Sequence, residues 1–180
     1  MIIAGIDYSM SCPAMFIGNS DEFSFKNGHS FFLTAKAKDV NTYQNIRGDL
    51  IKPWSTAQER YNHISEHFTK LCKDYNVEQI MIEGYSMGSR GKVFNIAENG
   101  GLLKHKLWKA GYIINEVPPT SLKKYATGKG NSGKDIMYNF FTKESGLNLE
   151  NLLGKKCINN PISDIVDSYF IAKYLINVQV

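Results

Sequence analysis

Short apolar runs alternate with longer amphipathic stretches along the chain, and this alternation predicts a mixed strand and helix fold. Five apolar runs have the length and composition of strands, and they lie at residues 1–7, 14–17, 23–33, 77–83 and 112–117. The first three runs follow one another with only short polar turns between them, which indicates an antiparallel meander.

Two longer stretches, at residues 56–75 and 95–110, have the apolar period of amphipathic helices. Ser55 and Gln58 have the spacing of a capping box, so we expect the first helix to begin there. The second helix contains a Gly-Gly pair at 100–101, which costs stability relative to alanine. Either a close helix–helix contact, for example between subunits, or simple tolerance would account for it.

The remaining segments complete a single predicted α/β domain over residues 1–180. Residues 35–54 show no clear period and predict an irregular loop. Two short helices separated by a loop at 128–133 follow the last strand, and Pro161 suits the first turn of a final helix. Strands and helices in this order predict a mixed five-stranded sheet flanked by helices.

Composition places the chain among intracellular globular proteins. At 180 residues and 43% hydrophobic content, it is long enough for one sound core. No apolar run approaches the roughly 20 residues of a membrane span, and the first run reaches Asp7 too early for a signal peptide. The cysteines, Cys12, Cys72 and Cys157, are odd in number and form no CxxC pair, so we expect a reducing, cytoplasmic setting.

The net charge of +4 is modest, but it is unevenly distributed. Residues 84–134 contain only two acids, Glu98 and Glu116. The basic residues of this segment are Arg90, Lys92, Lys104, Lys106, Lys109, Lys123, Lys124, Lys129 and Lys134. Such a segment is either a solvated face or a surface that contacts a nucleic-acid backbone.

Four acidic residues stand at the edges of apolar elements. Asp7 and Glu83 end two of the predicted strands, and Asp164 and Asp167 lie three apart in the last helix. On an ideal helix these two aspartates lie opposite an apolar stripe, with Cβ atoms about 5–6 Å apart. Taken singly, each acid also has a simpler interpretation, as a strand-edge charge or a partner of the helix dipole. Taken together, the four predict a site for divalent metal ions.

Such a site would suit phosphodiester cleavage. Two divalent ions roughly 3.5–4 Å apart, held by carboxylates, activate a water and stabilise the leaving oxygen. Magnesium prefers oxygen ligands and keeps several of its waters. The histidines, His29, His63, His67 and His105, show no ligand spacing and are interpreted as structural or surface residues.

Several of these segments together resemble the RuvC family of Holliday junction resolvases. The resemblance is carried by Gly5-Ile6-Asp7-Tyr8-Ser9, by Ile82-Glu83-Gly84-Tyr85, by residues 117–130 with Lys134, and by Asp164-Ile165-Val166-Asp167-Ser168. It covers nearly the whole chain in order, and the residues around Glu83 and Arg90 resemble the phage-encoded branch most.

The resemblance implies a ribonuclease H-like fold and a homodimer that cuts branched DNA with two Mg²⁺ or Mn²⁺ ions per active site. The metal-binding acids of the family correspond to Asp7, Glu83, Asp164 and Asp167, and its two functional lysines to Lys123 and Lys134. The dimer contact of the family lies on the helix at 95–110, which would give the Gly-Gly pair a packing role.

The resemblance also has departures. The family has a base-stacking aromatic residue just after its glutamate, whereas here Tyr85 is one place off and Phe94 is a second candidate. Each of the two either stacks on a base or belongs to the core. Lys124 and Lys129 contact either backbone phosphates or nothing, and Arg90 and Lys92 in the basic segment are further candidate DNA contacts. The loop at 35–54 is longer than the family pattern predicts.

The resulting expectation is a metal-dependent endonuclease that nicks Holliday junctions and other branched DNA, such as forks and flaps, and leaves 5′-phosphates. One alternative is another ribonuclease H-like nuclease, of the hybrid-cutting or transposase type. A second is a non-catalytic protein that binds branched DNA, although a protein that only binds phosphate gains nothing from four clustered acids. An actin-like phosphotransferase needs two lobes, for which 180 residues leave no room.

Overall fold

The computed structural model describes residues 1–85 and 93–178. Its strands are β1 (Ile2–Asp7), β2 (Ala14–Asn19), β3 (His29–Thr34), β4 (Asn41–Tyr43), β5 (Ile46–Leu50), β6 (Gln79–Glu83) and β7 (Ile113–Val117). Its α-helices are α1 (Ala57–Asp74), α2 (Val93–Lys109), α3 (Pro119–Thr127), α4 (Lys134–Ser145), α5 (Leu149–Leu153) and α6 (Ile162–Val178). A short 3-10 helix at Ala37–Asp39 precedes β4.

The strands form one mixed sheet in the order β4-β5-β3-β2-β1-β6-β7. β1, β2 and β3 pair antiparallel in sequence, which confirms the predicted meander. β6 pairs parallel with β1, and β7 pairs parallel with β6. Apolar side chains fill two separate cores, one between the sheet and α1 and α2, the other between the sheet and α3 to α6. The molecule is therefore a three-layer α/β/α arrangement.

Helix α6 lies directly against the central strand β1, because Gly5 leaves no side chain between them. A Cβ atom on Gly5 would lie 2.2 Å from the backbone nitrogen of Ala172 and 2.4 Å from the carbonyl oxygen of Ser168. Ala172 and Ser168 are themselves small and fully buried. This backbone-to-backbone packing holds the beginning of α6 close to the end of β1.

The predicted count of five strands is wrong, because the segment at 35–54 contains β4 and β5. β5 pairs parallel with β3 and antiparallel with β4, so it extends the sheet by two strands. In β5 the apolar Ile46 is buried while Arg47 and Leu50 are exposed. One buried apolar side chain gives no visible period, which is why the pattern indicated a loop.

The third strand also begins later than predicted. β3 starts at His29, whereas residues 25–27 form a turn. Phe25 is fully buried all the same, since it packs in an aromatic cluster with Phe16, Phe141 and Tyr169. The apolar residues before position 29 were therefore core residues outside a strand.

The helix starts differ by one or two residues from the predicted ones. The capping box of α1 uses Thr56 and Glu59 rather than Ser55 and Gln58. Both pairs have the required spacing, but the carboxylate of Glu59 complements the positive end of the helix better than an amide. Pro161 stands just before α6 rather than in its first turn, and its carbonyl accepts a hydrogen bond from the backbone nitrogen of Ile165 at 2.9 Å.

None of the helices in the described ranges is both long and apolar enough to cross a membrane.

Candidate active site

Asp7 and Glu83 lie side by side at the ends of two adjacent parallel strands. Ile6 of β1 pairs with Ile82 of β6, so each acid is the next residue in register. Side chains alternate between the faces of a strand, and Ile3 and Met81 belong to the core under α6. Asp7 and Glu83 therefore point to the face of the sheet that α6 covers.

Asp164 and Asp167 lie in the first two turns of α6. The predicted apolar stripe of α6 is buried except at Ile176, which is partly exposed. The opposite side is buried too, since Asp164 is 4% exposed and Ser168 is fully buried against β1. The Oγ of Ser163 donates to Asp164 at 3.2 Å, and Ser9 also hydrogen-bonds this carboxylate. The aspartates thus face the sheet rather than solvent.

The structure brings all four acids into one electrostatic cluster. Burial, followed by the charges of Asp164, Glu83 and Asp167, raises the pKa of Asp7 well above its usual range, and Lys134 opposes this. Burial raises the pKa of Asp164 to about 6. Burial, followed by the charges of Glu83 and Asp164, raises the pKa of Asp167 to about 7. Burial and Asp164 raise the pKa of Glu83, and Lys123 and Lys134 oppose the rise. Each acid is therefore costly to ionise in the presence of the others.

This donor set fits a hard divalent cation. The four side chains offer only carboxylate oxygens, which Mg²⁺ and Mn²⁺ prefer, and a cation would offset the repulsion that raises their pKa values. Within residues 1–85 and 93–178, however, no three acidic, histidine or cysteine side chains are arranged as a ready-made ligand group. The acids share one cluster, but side-chain rotation would be needed for three of them to hold a single ion.

Two lysines enter the cluster, one from α3 and one from the first residue of α4. The Nζ of Lys134, at the start of α4, donates to Ser163 at 3.1 Å and acts on the pKa of all four acids. Lys123, in α3, opposes the raised pKa of Glu83 and of Asp167. Thr127 fixes the intervening loop, since its hydroxyl accepts from the backbone nitrogen of Lys129 at 3.3 Å and lies 2.6 Å from the hydroxyl of Ser132.

A small pocket opens beside Asp7 and Glu83. It encloses about 270 Å³, and its walls include Tyr85, Lys104 and Pro119. The hydroxyl of Tyr85 donates to the carbonyl of Ala97 at 3.3 Å, and the Nζ of Lys104 lies 4.5 Å from the centre of the Tyr85 ring. A Cβ atom on Gly100 would meet the Tyr85 hydroxyl at 2.8 Å, so this glycine makes room for the ring.

The predicted DNA-contacting residues lie at several places. Tyr85 is 44% exposed on the pocket wall, so it is not a core residue, and Phe94 is 81% exposed at the start of α2. Lys124 and Lys129 are exposed near the loop after α3. Arg90 and Lys92 lie outside the described residues.

The basic segment at 84–134 does not form one face. Lys104 pairs with Glu116 at 2.9 Å, and Lys106 pairs with Glu66 at 3.4 Å, both on the side of the sheet that α2 covers. Lys123 and Lys134 lie on the opposite side, with α6. Lys123 and Lys134 act on the pKa values of the acids, whereas Lys104 lines the pocket beside Asp7 and Glu83 from the side of α2.

Two serines next to the acids were not among the predicted site residues. Ser9 and Ser163 both hydrogen-bond Asp164, and Ser163 also accepts from Lys134. Their positions two residues after Asp7 and one residue before Asp164 were the only signal in the sequence. Serine is so common at helix starts that this signal does not indicate a role by itself.

Comparison with known proteins gives structural neighbours only. No protein-family model matches the chain, and no curated protein matches it in sequence. The structure of Thermus thermophilus RuvC is 13% identical, with a TM-score of 0.66, and the match covers 99% of this chain and 97% of that one. Thermus thermophilus RuvC in complex with a Holliday junction substrate is 18% identical, with a TM-score of 0.63 and coverage of 96% and 90%.

A third neighbour is the yeast mitochondrial Holliday junction resolvase Ydc2, at 13% identity, a TM-score of 0.55 and coverage of 98% and 78%. The three matches span nearly the whole chain, and they confirm at the level of structure the likeness that the motifs predicted. The chain has the fold of the RuvC Holliday junction resolvases.

Proposed function

We propose that this protein is a metal-dependent endonuclease that nicks Holliday junctions and other branched DNA. The observation that carries the proposal is a cluster of four acids at the ends of the inner strands β1 and β6, namely Asp7, Glu83, Asp164 and Asp167. The pKa values of these acids are raised, and two lysines lie beside them. A core gains nothing from four mutually repelling acids, because each buried charge costs free energy. Function is the simplest reason to keep them together.

The four acids would hold one or two Mg²⁺ or Mn²⁺ ions. Bound there, the metal would supply a nucleophilic water and stabilise charge on the phosphate. The chain itself would orient these ligands, since Ser9 and Ser163 fix the carboxylate of Asp164 by hydrogen bonds. Hydrogen bonds to a metal-binding side chain typically set its orientation and the affinity for the metal.

Lys134 and Lys123 would act on the DNA side of the reaction. An ammonium group near the scissile phosphate stabilises the negative charge that grows in the transition state. Lys134 also favours the ionised form of the acids, which is the form that binds metal. Lys124 and Lys129, which are exposed nearby, would contact backbone phosphates.

A homodimer would place two such sites on one junction. Helix α2 presents an exposed stripe along one side, made of Phe94, Ala97, Gly101, His105 and Trp108. Two large aromatic side chains flank small residues in this stripe, and small residues let helices approach closely. We propose that a second copy of the chain packs there.

The direct test is a nicking assay on synthetic DNA with and without magnesium. We expect magnesium-dependent cuts in four-way junctions, forks and flaps, no cuts in linear duplex, and 5′-phosphate ends. Binding without cutting under all metal conditions would favour a non-catalytic branched-DNA protein. Preferential cutting of an RNA–DNA hybrid would favour a hybrid-specific nuclease instead, which must recognise the 2′-hydroxyl.

A further inference from the structure

A large cationic cleft lies next to the acid cluster, on the other side of the loop that joins β1 to β2. The residues at 7–10 line the active-site pocket, whereas the next two, Ser11 and Cys12, line the cleft. The cleft encloses about 970 Å³, and its other walls come from residues 34–39, from Trp54 and Arg60, and from residues 154–160. One loop thus separates the acids from the cleft.

The lining of the cleft is strongly positive. In the part of the chain that the structure describes, it has five basic side chains, Lys36, Lys38, Arg60, Lys155 and Lys156, and one acid, Asp39. Asp39 is buried and pairs with Lys155 at 2.6 Å, so this ion pair joins the two walls of the cleft. Lys36, Lys38 and Lys156 are exposed and present their charge to the cleft.

An aromatic ring stands among these charges. Trp54 is 41% exposed, and the guanidinium carbon of Arg60 lies 4.6 Å from the centre of its ring. Arg60 in turn donates to the carbonyl of Met10, which lines the active-site pocket. Through Arg60, Trp54 is linked to the loop that follows Asp7, and a large part of its ring stays exposed.

Hydrogen bonds also connect the cleft wall with the acids. The Nδ2 of Asn160 donates to the hydroxyl of Ser11 at 3.0 Å across the cleft rim. The Oγ of Ser163 lies 3.3 Å from the Oδ1 of Asn160, and it also contacts Asp164 and Lys134. The rim of the cleft and the candidate catalytic cluster are thus one connected piece of structure.

We propose that this cleft binds an unpaired stretch of the DNA strand that is cut at the acid cluster, with phosphates on Lys36, Lys38 and Lys156 and a base stacked on Trp54. The proposal rests on the nuclease function proposed above. Lysines interleaved with an exposed aromatic ring are typical of single-strand binding, where every base offers a ring face. A paired base in a duplex does not offer its face, so Trp54 favours the unpaired strand near a branch point.

Tryptophan fluorescence tests the contact without any cleavage. The chain has two tryptophans, so the Trp108→Phe variant leaves Trp54 as the reporter. In the presence of a chelator, oligothymidylate should quench the emission of Trp54 in a titration that saturates. A duplex of equal length should quench this emission less. Absence of quenching, or equal quenching by the duplex, would overturn the proposal.

Two sets of variants, one at Trp54 and one at the lysines, separate the base contact from the phosphate contacts. By anisotropy with a labelled oligothymidylate, Trp54→Ala should bind about tenfold more weakly, the typical loss for one stacked base, and Trp54→Phe should recover most of it. Lys36→Ala with Lys38→Ala should make the slope of log affinity against log salt shallower by about 1.4, as expected for two lost phosphate contacts on a single strand.

A matched pair on another surface controls for general charge. Lys70 and Lys73 are exposed on α1, and neither lines the cleft. The double variant Lys70→Ala, Lys73→Ala removes the same charge and should leave the salt slope unchanged. If it changes the slope as much as the Lys36, Lys38 pair does, the attraction is general and the cleft is not the site.

Nicking assays on the same variants distinguish failure of this proposal from failure of the nuclease function. If four-way junctions are nicked at the original rate by Trp54→Ala and by the Lys36, Lys38 double variant, the cleft does not hold the cut strand. A second outcome is that neither the original protein nor any variant nicks DNA, while the fluorescence and salt effects are as expected. In that case the nuclease function fails and the strand-binding cleft stands.

Discussion

At the scale of single residues, the pKa values of the acids connect stability with metal binding. Burial and neighbouring carboxylates raise the pKa of Asp167 to about 7 and that of Asp164 to about 6. An acid with a raised pKa stabilises the fold fully below its unfolded pKa, and this contribution is lost as the pH rises through the folded pKa. Without metal, the free energy of unfolding should therefore decrease as the pH rises from about 4 to about 7.

The Asp167→Asn variant tests this linkage. A neutral amide has no proton to lose, so in chelator at pH 8 the variant should be more stable than the original chain by about 1–3 kcal/mol, and the two should converge toward pH 4. Thermal melts at several pH values would measure the difference. The same variant should lose junction cleavage and keep junction binding.

Asp21→Asn serves as the control, because the side chain of Asp21 is 78% exposed and far from the cluster in sequence. Its melting temperature should follow that of the original chain at every pH. Parallel pH profiles for Asp167→Asn and the original chain would instead remove Asp167 from the buried cluster. Cleavage by Asp167→Asn at the original rate would remove it from the proposed site.

Lys134→Ala should slow cleavage far more than it weakens binding. Lys134 opposes the raised pKa of all four acids, so its removal should shift the pH–rate profile to higher pH. Loss of one stabilising charge in the transition state typically costs about 10²-fold in rate. Single-turnover nicking across pH, with junction binding in chelator, gives both quantities.

Lys129→Ala is the matched control for this lysine, since Lys129 is exposed on the loop just before it. It should weaken junction binding slightly and leave the pH–rate profile in place. If Lys134→Ala loses binding and rate by the same factor, Lys134 is a phosphate contact only.

At the scale of elements, the contact between β1 and α6 positions the site. Helix α6 can lie over the centre of β1 because Gly5 has no side chain. Gly5→Ala should destabilise the chain by more than about 3 kcal/mol, because overpacking here meets backbone atoms that cannot rotate away. Chemical denaturation would measure the loss.

Gly84→Ala provides the comparison for this substitution. A Cβ atom at Gly84 would make an ordinary contact of 3.4 Å with the carbonyl of Val117. The expected change is within about 1 kcal/mol, as for most substitutions without a steric conflict. A mild effect of Gly5→Ala would mean that α6 stands further from β1 than the structure places it.

The same contact shows what the sequence could and could not predict. The apolar runs predicted that Asp7 and Glu83 stand at the ends of strands. The helix period predicted that Asp164 and Asp167 lie close together on one helix. That α6 lies on β1, face to face with both strand ends, depends on packing at Gly5, and the motif resemblance supplied that relation. Strands β4 and β5 were missed because pairing with β3, rather than their own apolar period, makes them strands.

The cationic cleft could not be predicted from the sequence for a similar reason. Lys36, Lys38, Lys155 and Lys156 belong to segments more than a hundred residues apart. Each lysine pair has the pattern of a solvated surface. Their meeting depends on the Asp39–Lys155 pair, and nothing in the local sequence around Asp39 indicates a partner in the distant segment.

At the scale of the whole molecule, the sheet divides the surface into two functional sides. The acids, their two lysines and the linking serines lie on the side of α6, whereas α2 covers the other side, where Lys104 and Lys106 form ion pairs. The exposed stripe of α2 is therefore free to serve a different purpose from catalysis. A contact with a second copy there would leave both acid clusters open to DNA.

Substitution at this stripe tests the proposed dimer. Trp108 is 68% exposed and makes little contribution to the core of its own chain, so Trp108→Lys should fold normally and yet turn a dimer into a monomer in light scattering. Phe140→Lys is the matched control, because Phe140 is a partly exposed aromatic residue on α4, on the other side of the sheet. Loss of the dimer should abolish paired nicks across one four-way junction while single nicks persist, since one junction would then meet one active site at a time. A Trp108→Lys protein that stays dimeric, with paired nicks intact, would place the contact on another surface.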